Sequence, residues 1–362
     1  MKKRFMALLF SAALVATVLT GCGEKNVVVE RETTETNEQV VSEQVPEAEK
    51  QESTNSTETE TEENIPVTVR VGGLKGATTL GLLPLMEKAT QGSTDIDYEF
   101  TMVTVADEMA AKLMKSEVDI ALIPANLASV LYNKTEGGIS VIDINTLGVL
   151  YMVSADNSIS SPKDLMGKTI YLTGKGTTPD YVLQYILKEN NISDKVTLEY
   201  KSEATEVAAL LEADSTGTAI GLLPQPFVTV ACAQNERLSI VMDMNEEWNK
   251  AAGDGGGSLV TGVTVVRNDF LNEHRAMVDA FITEHMESVK AVNEDVDNAA
   301  ALAVKAGIIP KEPIAKKAIP KCNITCITGN EMKEALSGYL KVLYAMDAGS
   351  VGGQLPDEDF YY

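Results

Sequence analysis

Two kinds of hydrophobic spacing alternate along the chain from Ile65 onward. Nearly continuous apolar runs, such as residues 118–123 and 218–223, are typical of strands buried on both faces. Between such runs, apolar residues three and four positions apart predict amphipathic helices, as in residues 106–115. Strands that alternate with helices indicate an α/β fold with mainly parallel sheets.

The pattern repeats at a distance of 100 residues. The segment GGLKGATT (72–79) is echoed by LTGKGTTP (172–179), and DIALIP (119–124) is echoed by AIGLLP (219–224). Each copy predicts a strand, a Gly/Thr loop and a helix, so we expect two similar lobes. Lobe 1 is predicted from residues 65–152 and 263–362, and lobe 2 from residues 153–262. The two crossings, expected near residues 151–154 and 261–265, would act as a hinge.

The doubled loops define the predicted ligand site. In open α/β sheets, ligands bind beyond the C-terminal ends of the strands, where free N–H groups of helix starts favour an anion or a strong acceptor. Taken singly, a threonine at a helix start is more often a simple cap, and a lysine is more often solvated, so the interpretation rests on the doubling. The candidates for charge, hydrogen bonds and apolar walls are Lys75, Lys175, Thr78, Thr79, Thr177, Thr178, Asn126, Gln225, Tyr151, Tyr181 and Phe227.

The N-terminal 22 residues have the features of a secretory signal. A positive start (KKR, 2–4) precedes an apolar stretch (5–18), and LTGC follows at 19–22. This ending resembles a bacterial lipobox, in which Cys22 would be acylated and would anchor the protein to a membrane. An ordinary signal peptide and a membrane span are the alternatives, and the apolar stretch is short for a span.

A strongly acidic segment follows the signal. Residues 24–64 hold 13 acidic and 3 basic residues and no aromatic one, which predicts a disordered tether over residues 23–64. The formal net charge of the whole chain is −23, which argues against a nucleic-acid partner. An anionic ligand stays possible because a site can be locally positive on an acidic protein.

Candidate catalytic and metal-ligating residues are few. The histidines, His274 and His285, are predicted mid-helix at the surface and form no ligand pattern with the cysteines. The Gly-Lys-Gly-Thr-Thr run lacks the spacing of a nucleotide phosphate loop, so nucleotide hydrolysis is rejected. Cys322 and Cys326 could form a small-loop disulfide or remain thiols, since an extended i, i+4 pair lies beyond bonding reach. We expect no cofactor and no metal.

Five segments carry a family resemblance: SPKDLMGKTI (161–170), GKGTT (174–178), VDIALIP (118–124), EVAALL (206–211) and PQPF (224–227). Through them the chain resembles the type II periplasmic solute-binding proteins of bacterial ABC importers. The branch it resembles includes proteins that bind thiamine-pyrimidine precursors, nitrate, taurine and aliphatic sulfonates. The resemblance implies two Rossmann-like lobes with a hinge, and cleft loops that add Gly76, Ala125 and Gly176 to the candidates.

The function implied by the resemblance is capture of a small organic or anionic solute and its delivery to an ABC permease and its ATPase. The protein would be extracytoplasmic, lipid-anchored and not an enzyme. One rival is a membrane-tethered ligand sensor or adaptor. Another is an enzyme on the same fold, as in cofactor (menaquinone) or pyrimidine biosynthesis. Such enzymes would be cytoplasmic, whereas this chain carries an export signal.

Overall fold

The computed structural model describes residues 67–253 and 257–362. The predicted signal segment with Cys22 and the predicted tether lie outside these residues. The strands are β1 Thr68–Leu74, β2 Asp97–Val103, β3 Ile120–Pro124, β4 Ile139–Leu147, β5 Leu150–Ser154, β6 Thr169–Leu172, β7 Thr197–Tyr200, β8 Ile220–Pro224, β9 Ser239–Asp243, β10 Val260–Arg267 and β11 Ile324–Ile327.

The α-helices lie between and after these strands. They are α1 Ala77–Leu80, α2 Leu83–Thr90, α3 Ala106–Met114, α4 Ala125–Lys134, α5 Thr178–Glu189, α6 Ala204–Ala213, α7 Phe227–Gln234, α8 Met244–Ala252, α9 Asn268–Glu273, α10 Arg275–Glu294, α11 Val296–Lys305, α12 Glu312–Ala318 and α13 Gly329–Met346. Short 3-10 helices cover Pro162–Leu165, Ser193–Lys195, Ile319–Lys321, Ala348–Val351 and Glu358–Phe360. None of the described helices is long and apolar enough to cross a membrane.

The strands form two sheets of related order. The first sheet runs β11-β4-β10-β3-β1-β2 and the second runs β7-β6-β8-β5-β9. In each sheet one strand has two parallel neighbours: β1 pairs with β2 and β3, and β6 pairs with β7 and β8. The expected two-lobed α/β fold is therefore confirmed.

The expectation of mainly parallel sheets is wrong. Strand β10 is antiparallel to both β3 and β4, and β5 is antiparallel to both β8 and β9. Strands β5 and β10 each follow a segment in which the chain passes from one sheet to the other. Neither enters its sheet through the strand–helix–strand unit that makes neighbours parallel.

Both passages between the sheets come earlier in the chain than the expected crossings. Strand β4 ends in the first sheet at Leu147 and β5 begins in the second at Leu150. Strand β10 lies wholly in the first sheet, so the return passage precedes Val260. The expected crossings therefore lie inside strands, residues 151–154 in β5 and residues 261–265 in β10.

Several elements differ from the predicted pattern. Strands β4 and β11 were not predicted, and both belong to the first sheet. The helix expected to run continuously from the first Gly/Thr loop is divided into α1 and α2, with Gly81 and Leu82 between them. Gly72 and Gly73, expected in a loop, lie in β1 and pair with β2.

Aromatic packing joins the C-terminal helix to lobe 2. Trp248 of α8 is fully buried, 4.9 Å from the ring of Tyr185 and 5.3 Å from the ring of Tyr339 on α13. Helix α13 also contacts β4 and β10 of the first sheet. The helices after Arg267 were expected to pack on lobe 1, and α13 in fact contacts both lobes.

Candidate functional site

A cavity of about 480 Å³ lies between the lobes, where β1, β3, β6 and β8 end. This is the side of the sheets at which ligands bind in open α/β folds. Its volume falls in the range of small-molecule sites, about 300 to 1,000 Å³. The predicted candidates that line it are Lys75, Gly76, Thr78, Thr177, Thr178, Gln225, Lys175 and Phe227.

The remaining predicted candidates do not line the cavity. Thr79 is buried, and its hydroxyl donates to the Leu74 carbonyl at 2.5 Å, so it braces the loop. Ala125 is buried at the start of α4. Tyr151 lies in β5, where burial, with a smaller effect of the Asp243 charge, raises the pKa of its phenol to about 12. Asn126, Gly176 and Tyr181 also do not line the cavity.

The two Gly/Thr loops differ in conformation despite their similar sequences. In the second loop, Gly174 and Gly176 adopt φ values of 71° and 74°, which side chains rarely tolerate. The Thr177 hydroxyl closes this loop by donating to the Gly174 carbonyl at 2.7 Å. The first loop contains no glycine with positive φ and leads into a helix of four residues, whereas the second leads into one of twelve.

Asp180 holds the second loop in place. Its carboxylate is 3% exposed and accepts from the Gly176 N–H at 2.8 Å, the Gln184 amide at 2.6 Å and the Tyr200 hydroxyl at 2.7 Å. Burial and this hydrogen bond to Asp180 raise the pKa of the Tyr200 phenol. Lys175 lies over the Tyr200 ring, 5.3 Å from its centroid, so the loop's lysine is also positioned by this cluster.

Three buried polar atoms in the cavity-lining residues have no hydrogen-bond partner within residues 67–253 and 257–362. They are the Thr78 hydroxyl, the Thr261 hydroxyl and Nε2 of Gln225. The Gln225 amide is oriented because its Oε1 accepts from the Thr229 N–H at 3.3 Å and the Thr229 hydroxyl at 2.9 Å. Its Nε2 is therefore left as a free donor. An unpaired buried donor costs about 1–3 kcal/mol, so a ligand that accepts from these groups gains that energy.

The charges around the cavity favour an anion. Lys75, Lys175 and Lys201 line it, against Asp107 and Glu203. The excess of one positive charge stands out because the whole chain carries −23. Lys201 is partly engaged, since it pairs with Glu199 at 3.4 Å, while Lys75 and Lys175 are exposed.

Several hydrogen bonds cross between the lobes at the cleft, and the Thr178 hydroxyl lies 3.5 Å from both Asn126 Oδ1 and the Thr261 carbonyl. The Asn126 amide on α4 donates to the Gly176 carbonyl at 3.2 Å, and it also donates to the Ser350 carbonyl at 3.2 Å. At the rim, the Thr104 hydroxyl donates to Glu203 at 3.2 Å. Asn126 therefore joins the lobes behind the cavity and does not line it.

Sequence reasoning missed Thr261 and Lys201. Thr261 lies in β10, where the alternating apolar pattern identified a strand but did not show that its second residue faces the cleft. Gly262, the residue after Thr261, could have indicated that β10 passes close to another element at this point. A Cβ there would lie 2.5 Å from Asn145 Oδ1 and 2.6 Å from Thr78 Cγ2, so a side chain is excluded where β10 passes α1.

The prediction that both histidines lie at the surface is wrong for His285. This side chain is fully buried, with Nδ1 3.1 Å from Asp143 and 4.0 Å from the Cys326 sulfur. Cys322 and Cys326 are free thiols, so the disulfide alternative does not hold. Cys322 donates to the Ala318 carbonyl at 3.2 Å, and burial raises the pKa of both thiols.

Solved structures place the fold in a known class. An ABC transporter protein from Parabacteroides distasonis has a TM-score of 0.66 and 24% identity, covering 82% of this chain and 98% of that one. The aliphatic sulphonate binding protein of Escherichia coli has a TM-score of 0.65 and 11% identity, covering 82% and 92%. The alkanesulfonate-binding protein of Xanthomonas axonopodis pv. citri, bound to MOPS, has a TM-score of 0.61 and 14% identity, covering 81% and 95%. The chain has the periplasmic binding protein fold.

A family model described as "Menaquinone biosynthesis" matches residues 78–345, which is most of the chain. The chain belongs to this family. The match points to an enzyme, so the expectation that the protein is not an enzyme is wrong. No curated protein matches the chain.

Proposed function

We propose that this protein binds a small organic anion in the cavity between its lobes. The observation that carries the proposal is the set of three unpartnered buried groups, from Thr78, Gln225 and Thr261. All three can donate a hydrogen bond, and Gln225 Nε2 can only donate. A carboxylate or sulfonate supplies several acceptor atoms and a charge that suits Lys75 and Lys175.

A thermal-shift screen of the purified protein tests this proposal. The panel pairs organic carboxylates and alkanesulfonates with neutral amides and sulfonamides of the same shape. We expect anions to raise the melting temperature and their neutral partners to leave it unchanged. Equal stabilisation by anions and neutral partners, or stabilisation only by cations, would contradict the proposal.

Two roles follow from binding in this cleft. Delivery of the ligand to an ABC permease and its ATPase is supported by the export-type N-terminus and by the fold shared with import proteins. Conversion of the ligand, as a step of menaquinone biosynthesis, is supported by the family match. Both roles use the same cleft, and they differ in whether the ligand leaves it chemically changed.

Incubation of the protein with excess of the anion identified by the screen separates the two roles. Mass spectrometry of the small molecules should show either the anion unchanged or a product that exceeds the protein in amount. An unchanged anion supports delivery. Product formed over several turnovers supports the biosynthetic role, provided that Gln225→Glu abolishes it.

We further infer that the protein is anchored outside the cytoplasm through a lipid on Cys22, a proposal that rests on the sequence. The variant Cys22→Ser should move the protein from the membrane fraction to the soluble fraction, because a thioether-linked lipid cannot form on serine. Cys232→Ser provides the control for loss of a thiol. Retention of the Cys22→Ser variant at the membrane would overturn the anchor.

A further inference from the structure

Three side chains of metal-ligating type converge inside lobe 1, away from the cleft. Asp143 lies on β4, His285 on α10 and Cys326 on β11. Their ligand atoms all lie within 4.8 Å of one another, and His285 directs the same nitrogen, Nδ1, toward both partners. None of the three residues lines the cavity between the lobes.

The cluster is buried, and its carboxylate has no lysine or arginine beside it among the described residues. Asp143 and His285 are 0% exposed, and Cys326 is partly exposed. The Asp143 carboxylate accepts from the Thr264 hydroxyl at 2.8 Å and pairs with His285 at 3.1 Å. Among the described residues, no lysine or arginine pairs with Asp143. A buried charge is stabilised by a counter-charge or a metal.

The distances suit a tetrahedral metal ion. Bonds of about 2.0 Å to nitrogen and oxygen and about 2.3 Å to sulfur place tetrahedral ligands about 3.3 Å (N to O) and about 3.6 Å (N to S) apart. The observed separations are 3.1 Å and 4.0 Å, so each differs by a few tenths of an ångström. The third pair, an Asp143 oxygen and the Cys326 sulfur, lies within 4.8 Å, so metal binding requires a rotation of Cys326 that brings its sulfur closer.

We propose that Asp143, His285 and Cys326 form a binding site for a zinc-class divalent transition metal. A thiolate with an imidazole selects zinc or its neighbours over magnesium and calcium, which prefer oxygen ligands. On binding, the imidazole of His285 changes to the tautomer protonated on Nε2, which frees the Nδ1 lone pair that was held by the hydrogen bond to Asp143. The Cys326 S–H bond breaks, sulfur keeps the electron pair to bond the metal, and the thiol proton leaves to solvent. The two negative ligands then balance the metal's two positive charges. Three protein ligands leave the fourth tetrahedral position to a solvent molecule.

The site would fasten together parts of lobe 1 that are distant in sequence. It joins β4, α10 and β11 directly, and Thr264 brings in β10 through its hydrogen bond to Asp143. This role does not depend on which molecule occupies the cleft. Metal binding therefore predicts higher stability of the folded protein and no requirement for the cleft ligand.

Cobalt(II) is the probe, since zinc has no visible spectrum. Full-length protein stripped with a chelator should bind about one cobalt ion per chain and show thiolate-to-cobalt charge-transfer absorption. Zinc should displace the cobalt and raise the melting temperature by about 2 °C or more. Cys326→Ser should abolish the charge-transfer absorption, and Cys232→Ser, outside the cluster, should retain it.

Two results would overturn the site. One is the absence of charge-transfer absorption in the wild-type protein, and the other is its persistence in Cys326→Ser, which would assign it to another thiol. If circular dichroism shows that Cys326→Ser does not fold, X-ray absorption of the wild-type zinc complex decides. One sulfur with nitrogen and oxygen neighbours supports the site, and a shell without sulfur contradicts it.

Discussion

Gln225 is the residue whose role in the cleft is best defined by its neighbours. It is fully buried, its oxygen is held by Thr229, and its nitrogen has no protein partner. Most glutamines can rotate their amide to suit a ligand, but here a flip would place the amide nitrogen against the Thr229 N–H, donor against donor. The position therefore presents a fixed donor to the ligand.

Replacement of this donor tests the site at the scale of one atom. Gln225→Glu keeps the shape and the acceptor for Thr229 but puts an oxygen where the donor was. We expect affinity for the anion to fall about 100-fold, equivalent to about 2.7 kcal/mol, because a donor is lost and a like charge is added. Isothermal titration calorimetry measures this change.

Gln234→Glu is the matched control. Gln234 ends α7, the helix that begins two residues after Gln225, and is exposed away from the cavity lining. Gln234→Glu adds the same charge near the same cleft, so the affinity of this variant should equal that of the wild type. Equal losses in the two variants would assign the effect to net charge and not to the cleft.

The second Gly/Thr loop is the element whose shape depends on one carboxylate. Asp180 accepts from the Gly176 N–H, from Gln184 and from Tyr200. Asp180→Asn replaces one acceptor oxygen by a donor that faces other donors. We expect the free energy of unfolding, measured by urea denaturation, to fall by about 1–3 kcal/mol.

Asp194→Asn is the control for this variant, since Asp194 is exposed in the 3-10 helix at Ser193–Lys195. Its unfolding free energy should change by less than about 0.5 kcal/mol. A similarly small change for Asp180→Asn would mean that the carboxylate does not hold the loop.

The sequence was sufficient to predict the strands and helices whose apolar residues follow a simple spacing. The buried strands β3 and β8 are almost wholly apolar, and both end at a proline. Strand β4 escaped prediction because Asp143, Asn145 and Thr146 stand at buried positions. Strand β11 is short and follows a segment punctuated by prolines.

The cluster of Asp143, His285 and Cys326 could not be predicted from the sequence because the strands β4 and β11 were not predicted. Asp143 and Cys326 lie on the two strands that were not predicted, and His285 was assigned to a helix surface. These residues are separated by 142 and 41 positions, so no local motif joins them. Only the sheet order, which places β11 beside β4, brings them together.

For the molecule as a whole, the hydrogen bond from Asn126 to Gly176 joins lobe 1 to lobe 2. Asn126→Ala removes this bond across the cleft and leaves the cavity lining intact. We expect about tenfold weaker ligand binding, about 1.4 kcal/mol, and a larger radius of gyration by small-angle scattering.

Asn133→Ala separates this effect from simple destabilisation. Asn133 lies on the same helix and also donates to two carbonyls, those of Val351 and Gln354 at 2.8 Å each, without crossing the cleft. It should lose comparable stability but keep both the affinity and the radius. If Asn126→Ala and Asn133→Ala changed the ligand affinity and the radius of gyration equally, the hydrogen bond between the lobes would have no specific part in ligand binding.

The placement of β10 between β3 and β4 determines the order in which the lobes can fold as the chain emerges from its N-terminus to its C-terminus. The strands of the second sheet, β5 to β9, form one uninterrupted stretch that emerges before β10 is translated. The nascent chain can therefore complete lobe 2 while the first sheet still lacks its central strand. Lobe 1 begins first in the sequence, but its sheet can be completed only after β10 and β11 have emerged. Until then its early strands remain exposed to chaperones.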